Sequence, residues 1–180
     1  RYGNRKNEFM KCHCDIYGKP IQLKSAISHS CNSYFANTYK RIIEKNKNSI
    51  NGTNNWSTHV KSFGLGNYLG YDLPEGDKGL IPNGDYYNRM YKHRWNASTN
   101  ISNAIGQGEV LTTPIQLANV TAAIANRGFF YIPHIVKKID NQIITDSANT
   151  TRKYTTRVKI HFEPIIVGMH EVFKTGTASR

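Results

Sequence analysis

A hydroxyl, a thiol and a carboxamide follow one another at Ser30, Cys31 and Asn32. A hydroxyl and a carboxamide two residues apart can face one cleft where the backbone between them is not helical. Both groups can donate and accept hydrogen bonds, so the pair could handle protons and hold a polar ligand. A three-residue pattern also recurs by chance. On its own, it is explained as well by a polar patch between two helical segments.

Three cysteines form a second candidate site, with Cys12 and Cys14 close in sequence and Cys31 inside the first pattern. Thiolates, with an imidazole such as that of His29 nearby, are suitable ligands for tetrahedral zinc. Cys-X-Cys is not the usual Cys-X-X-Cys spacing, however. One disulfide with one free thiol, or three free or packed thiols, also account for the cysteines. The residues leave these three alternatives open.

The elements that must position these groups are mostly predicted helices. Apolar residues at helical spacing predict a helix over 20–47 with a polar break at 28–32. Asparagines at 51–55 predict a turn, and a short helix then runs to Gly64. Residues 64–100 are rich in Gly, Tyr and Pro, and we predict an ordered loop region there.

The clearest helix is capped by Thr113, begins at Pro114 and is closed by Gly128. Its residues are nearly all apolar or small, which predicts a helix inside a core. Asp140-Asn141 predicts a hairpin. Pro164 opens a last helix, with Phe173 among the residues of its buried face. Helices mixed with antiparallel strands predict an α/β (α+β) domain.

Composition excludes several classes of protein. The 180 residues are 38% hydrophobic and 11% aromatic, which is enough for a core in one domain or in part of one. No apolar run approaches the roughly 18 residues of a membrane span. The net charge of +12 comes from scattered Lys and Arg without a nucleic-acid motif, so we expect no nucleic-acid partner. Both ends of the sequence are expected to be cut.

Ser30-Cys31-Asn32, followed by the aromatic pair Tyr34 and Phe35, resembles the Ser-X-Asn motif of penicillin-binding proteins. The resemblance covers nearly the whole chain, and it points to the class B, elongation-type (rod-shape) transpeptidases of Gram-negative bacteria. Further segments resemble the family in the same order: Phe63-Gly64-Leu65-Gly66, Asp72-Leu73-Pro74-Glu75-Gly76, Gly79-Leu80-Ile81-Pro82, Ile105-Gly106-Gln107-Gly108-Glu109, Thr113-Pro114-Ile115-Gln116-Leu117-Ala118 and Ala123-Ile124-Ala125-Asn126-Arg127-Gly128.

The resemblance implies that residues 1–180 are part of a transpeptidase domain with the serine β-lactamase/D,D-peptidase-like fold, an antiparallel sheet flanked by helices. In that family a serine of a Ser-X-X-Lys motif attacks the D-Ala-D-Ala carbonyl of a peptidoglycan stem peptide. An amine from a neighbouring stem then resolves the acyl-enzyme into a cross-link. β-Lactams acylate the same serine. Ser30 would shuttle protons, Asn32 would hold the substrate backbone, and acyl transfer would need no cofactor.

Two features depart from the family pattern. No serine of the chain is followed by Lys three positions later, so we expect the nucleophile upstream of Arg1 and predict that the fragment alone is inactive. Lys174, Thr175 and Gly176 match the family's third motif, a substrate-binding Lys-Thr-Gly strand. They also stand where a helix should end, with a cation in its last turn and a glycine after it. We therefore predict a look-alike, with Gly176 in the left-handed conformation.

The family also implies partners and a location. A missing N-terminal anchor would place the protein in the bacterial inner membrane with the catalytic domain in the periplasm, beside a cell-elongation glycosyltransferase. Some members carry zinc in the region that corresponds to Cys12, Cys14 and Cys31. The alternative function is a non-catalytic, transpeptidase-like scaffold or β-lactam-sensing domain.

Overall fold

A computed structural model of the chain describes residues 12, 14, 20–70, 72–143, 147–155 and 158–179. The helices are α1 (Leu23–Ser28), α2 (Asn32–Glu44), α3 (Ser49–Lys61), α4 (Gly84–Tyr91), α5 (Pro114–Ala125), α6 (Ser147–Thr150) and α7 (Glu163–Lys174), with 3-10 helices at Ile101–Ile105 and Lys159–Phe162. The strands are β1 (Phe129–Phe130), β2 (Lys138–Ile139), β3 (Gln142–Ile143) and β4 (Lys153–Tyr154). No helix in these ranges is both long enough and apolar enough to span a membrane.

The chain divides into two compact units. The first contains described residues of the segments 1–57, 82–110 and 163–180, and the second those of 58–81 and 111–162. The boundary therefore falls within α3. In the first unit, Tyr39 and Ile43 of α2 form a buried cluster with Ala97.

Helix α3 occupies the segment in which we predicted a turn, so that prediction is wrong. Gly52 lies against the backbone of Ile43, and a Cβ at this position would overlap the Ile43 carbonyl oxygen. The buried Asn100 side chain donates to the hydroxyl of Thr53 at 3.2 Å. These contacts outweigh the low helix propensity of Gly, Asn and Thr.

The predicted loop region 64–100 contains helix α4, which was not predicted from the sequence. Its N-cap is Asn83, whose side-chain oxygen accepts from the Tyr86 N–H at 2.9 Å. The helix buries Tyr87 completely. Asn83 is a strong N-cap residue followed by aromatic residues, and this was the signal available in the sequence.

In the second unit, α5 begins as predicted, at Pro114 behind the Thr113 cap. Gln116 completes a capping box with Thr113. The prediction of a helix buried on all sides is wrong, because Leu117 is 55% exposed. The face of α5 that is buried carries the polar residues Gln116 and Asn119.

Those buried amides hold loops of the second unit in place. The Gln116 side chain donates to the carbonyl oxygens of Asn67 at 2.9 Å and Lys78 at 3.0 Å. Asn119 donates to the carbonyl oxygen of Phe63 at 3.1 Å. Because their N–H groups are hydrogen-bonded, burying these amides costs little free energy. The same hydrogen bonds hold the loops that precede α5 in the chain.

Each of the two small sheets is an antiparallel pair. β2 and β3 form the predicted hairpin, with Asp140 and Asn141 at φ angles of 48° and 64° in the turn. β1 pairs with β4, so that Phe129 lies opposite Tyr154. Helix α7 is also confirmed, although Phe173 is 73% exposed and not on a buried face. The mixed helix and strand class is confirmed.

Candidate active site

Helix α1 ends in a Schellman motif immediately before the candidate catalytic residues. The Cys31 N–H donates to the Ala26 carbonyl at 2.9 Å, and the Ser30 N–H to the Ile27 carbonyl at 3.1 Å. Cys31 and Ala26 also share one buried cluster, which is the apolar contact that often accompanies this motif. The predicted break between two helical segments is therefore confirmed.

Ser30 is the left-handed residue of this motif, with a φ of 50°. Its side chain is exposed, whereas Asn32 is half-buried as the first residue of α2. Glycine usually takes the left-handed position, since a Cβ there costs about 1–2 kcal/mol. Strain of this kind tends to be kept at functional sites. The backbone at Ser30 and Cys31 is thus non-helical, as the candidate site requires between its two polar side chains, and the cleft itself stays a prediction.

A buried polar network holds α2 in place behind Asn32. Tyr39 lies two helical turns after Asn32 and so shares its face of α2. The Asn103 amide donates to the hydroxyls of Tyr39 at 3.4 Å and Tyr87 at 2.9 Å. The Tyr87 hydroxyl donates to the Glu109 carboxylate at 2.8 Å.

Burial raises the pKa of both tyrosines of this network. It raises the pKa of Tyr39 to about 12, and it raises the pKa of Tyr87 as well. Tyrosine hydroxyls are uncharged at neutral pH in any case, and the raised pKa values extend that uncharged, hydrogen-bonding state to higher pH. This network was not predicted, because 64 residues separate Asn103 from Tyr39 and no local sequence pattern pairs them.

Lys174 is the last residue of α7, with an exposed side chain. The Thr175 hydroxyl donates to the carboxylate of Glu171 at 3.1 Å. The same carboxylate lies 3.5 Å from the ammonium of Lys24 in α1. The predicted helix end at Lys174 is confirmed, and whether Lys174, Thr175 and Gly176 bind substrate stays a prediction.

Gly176 has a role other than the predicted one. Its φ is not in the left-handed region, so that prediction is wrong. It lies instead against α1, where a Cβ would overlap the Ser28 carbonyl oxygen. The next residue, Thr177, donates its N–H to the same oxygen at 3.1 Å. The turn after α7 is therefore in contact with the residue two positions before Ser30.

The three cysteines converge. Their sulfur atoms all lie within 4.8 Å of one another, with 3.8 Å between those of Cys12 and Cys31. The Cys14 sulfur is in contact with the sulfurs of both Cys12 and Cys31. Because a sulfur can form only one disulfide, these contacts describe a single cluster and not two disulfides. Cys14 and Cys31 are buried.

Comparison with known proteins identifies the family. The sequence model of the penicillin-binding protein transpeptidase domain matches residues 2–179. The peptidoglycan D,D-transpeptidase MrdA of Acinetobacter baumannii is 37% identical over 117 residues, which are 65% of this chain and 16% of that protein. The chain thus spans about a sixth of the length of this curated relative.

Solved structures show the same fold. PBP2 of Pseudomonas aeruginosa superposes with a TM-score of 0.71 at 28% identity, covering 88% of this chain and 34% of that one. PBP2 of Helicobacter pylori in its complex with MreC gives a TM-score of 0.68 at 27% identity, covering 86% of this chain and 26% of that one. The chain therefore belongs to the penicillin-binding protein transpeptidase domain family.

Proposed function

We propose that this chain is the part of a peptidoglycan D,D-transpeptidase that supplies the Ser-X-Asn side of the active site. The observation that carries the proposal is the strained left-handed Ser30 at the break between α1 and α2. The family match over residues 2–179, which include this break, supports the proposal. The substrate would be a stem peptide that ends in D-Ala-D-Ala, and β-lactams would be inhibitors at the same site.

In the proposed reaction, the nucleophilic serine comes from another segment of the parent protein. Ser30 would pass a proton between the nucleophile and the leaving amine, since its exposed hydroxyl can accept and donate. Asn32 would bind the substrate backbone through its carboxamide. Proton transfer and substrate binding both require side chains held in a fixed position. The Schellman motif holds the backbone of Ser30, and the polar network behind α2 holds the helix that carries Asn32.

The test is acylation of the parent protein by a fluorescent penicillin. We expect Ser30→Ala to lower the acylation rate by roughly 10²–10⁴-fold, the usual contribution of a proton-transfer group. Ser147→Ala removes another exposed serine hydroxyl, from α6, and this variant should be acylated at the parent's rate. A parent protein that is folded but never labelled would favour the non-catalytic scaffold or sensing domain.

We also propose that Cys12, Cys14 and Cys31 hold a structural zinc ion. The convergence of three sulfurs within 4.8 Å supports this, since thiolates are preferred ligands of tetrahedral zinc. The metal would take no part in acyl transfer. It would join residues 12 and 14 to Cys31, the central residue of the Ser-X-Asn pattern.

Metal analysis together with thiol counting distinguishes zinc from a disulfide. We expect about one zinc ion per chain and three titratable thiols after chelation. Cys31→Ser should lose the metal. A metal-free protein with one titratable thiol would show that a disulfide occupies the cluster and would refute the zinc proposal.

We propose further that the parent protein is anchored in the bacterial inner membrane, with this domain in the periplasm. Its partners would be a cell-elongation glycosyltransferase and a scaffold similar to MreC, the protein bound to the Helicobacter pylori relative. Membrane fractionation of cells that express the tagged parent tests the location. Recovery of the full-length parent in the soluble fraction would contradict it.

A further inference from the structure

The end of helix α1 is capped by a distant part of the chain. The last four carbonyl groups of a helix have no partner within that helix. In α1, the carbonyls of residues 25–27 accept from the N–H groups of residues 29–31, in the turn that carries Ser30. The fourth carbonyl, of Ser28, accepts from the N–H of Thr177 at 3.1 Å. Thr177 therefore completes the cap.

The turn after α7 can reach this carbonyl only because two glycines allow close contact. Gly168 of α7 packs on Ile27, where an added Cβ would lie 2.9 Å from the Ile27 Cδ1. Gly176 passes so close to Ser28 that any side chain would displace the carbonyl group. Helix α7 and its final turn are thus fitted tightly to the last turn of α1.

We propose that Gly176 and Thr177 are positioning residues for Ser30. This inference rests on the proposed function. Ser30 occupies a strained backbone conformation, which persists only where the surrounding structure enforces it. The Thr177 hydrogen bond fixes Ser28, two residues before Ser30, and so limits how far the turn at residues 29–31 can relax. The resemblance of Lys174, Thr175 and Gly176 to a substrate-binding motif is then incidental, because the turn acts through α1 and not on substrate.

Paired variants of the parent protein separate these roles. Thr177→Pro removes the N–H that caps Ser28, whereas Thr177→Ala keeps it. Gly176→Ala perturbs the same contact without introducing proline. Lys174→Ala removes the ammonium that the substrate-binding interpretation requires. Gly52→Ala, which overlaps Ile43 elsewhere in the first unit, controls for destabilisation alone.

Acylation should be measured over a range of penicillin concentrations, so that the limiting rate and the apparent dissociation constant are obtained separately. We expect Thr177→Pro and Gly176→Ala to lower the limiting rate about 10- to 100-fold, the scale of a small displacement of a catalytic group. The apparent dissociation constant should change much less. Thr177→Ala, Lys174→Ala and the folded fraction of Gly52→Ala should keep the parent's limiting rate.

Two results would overturn the proposal. One is a loss of acylation in Lys174→Ala as large as that in Thr177→Pro, which would make the segment a substrate-binding motif. The other is an unchanged limiting rate in the folded fraction of both Gly176→Ala and Thr177→Pro. If the unsubstituted parent is not acylated at all, it is the proposed function that fails, and this inference fails with it.

Discussion

Ser30 occupies a backbone position that glycine would occupy at lower energy. Its φ of 50° lies in the left-handed region, where the Cβ of an L-residue is crowded by the following carbonyl. The Schellman hydrogen bonds at residues 30 and 31 do not depend on the side chain. The hydroxyl therefore contributes nothing to this cap that glycine could not, and within the described part of the chain it has no structural duty that would conflict with the proposed proton transfer.

Ser30→Gly should consequently stabilise the fold while lowering the rate of the proposed reaction. We expect a gain of about 0.5–1 kcal/mol in the free energy of unfolding, reduced by the greater backbone freedom of glycine in the unfolded chain. Acylation of the parent protein should fall as in Ser30→Ala. Chemical denaturation and penicillin labelling together measure both effects.

Lys92→Gly is the matched control for this trade-off. Lys92 is the C-cap residue of α4, with a φ of 49° and an exposed side chain. The Lys92→Gly variant should gain a similar free energy of unfolding and should be acylated at the parent's rate. A destabilised Ser30→Gly would show that the hydroxyl contributes to the fold, and the argument from strain would then fail.

At the scale of elements, local signals located some helices and tertiary contacts determined others. Thr113 and Pro114 predicted the start of α5 correctly, because a capping residue and a proline act within one turn. The turn predicted at 51–55 became part of α3, because Gly52 packs on Ile43 from another helix. The low helix propensity of Gly and Asn at 51–55 does not reveal a packing contact between two helices.

The same limit applies to the candidate site. The polar break before Asn32 was predicted from an interrupted apolar stripe. The left-handed conformation of Ser30 and the cap from Thr177 were not predicted. The hydrogen bond from the Thr177 N–H to the Ser28 carbonyl joins residues far apart in sequence. The residue types at 174–176 match both a substrate-binding Lys-Thr-Gly strand and an ordinary helix end. The helix period of α7 gave the correct local structure.

An exposed carboxylate joins two loops of the second unit. Asp72 accepts from the backbone N–H groups of Ile135 at 2.8 Å and Val136 at 3.0 Å. The bond from Val136, followed by that from Ile135, lowers the pKa of Asp72 below its ordinary value. The ionised form is thus favoured in the folded protein, and these two bonds hold the segment at 135–136 to Asp72.

Asp72→Asn should lower stability at neutral pH and remove part of its pH dependence. A carboxylate with a lowered pKa contributes stability above its unfolded pKa of about 3.9, and loses it as pH falls through the folded value. The difference in melting temperature between the unsubstituted protein and the variant should therefore be largest near pH 7 and shrink below about pH 4. Glu75→Gln, in the same exposed loop, controls for the loss of one charge. A difference that grew on acidification would contradict the assignment.

At the scale of the whole molecule, each unit exposes large apolar side chains on a helix. Leu117 of α5 in the second unit is 55% exposed, and Phe173 of α7 in the first is 73% exposed. Apolar faces of helices usually pack against another layer of structure. The chain covers 34% of the Pseudomonas aeruginosa PBP2 chain, so most of such a protein lies outside the matched part.

We expect the parent protein to bury Leu117 against the rest of its transpeptidase domain. Leu117→Lys should then destabilise the parent by about 2–5 kcal/mol, because it removes a packed leucine and places a charge in an apolar contact. The control is Met90→Lys, since Met90 is 61% exposed on α4 beside the exposed cations Arg89 and Lys92. A surface substitution of that kind is expected to stay within about 0.5 kcal/mol. Urea denaturation of the two variants and the unsubstituted parent measures the difference. Equal stability of the two variants would mean that Leu117 lies on an outer surface of the parent domain, and the prediction would fail.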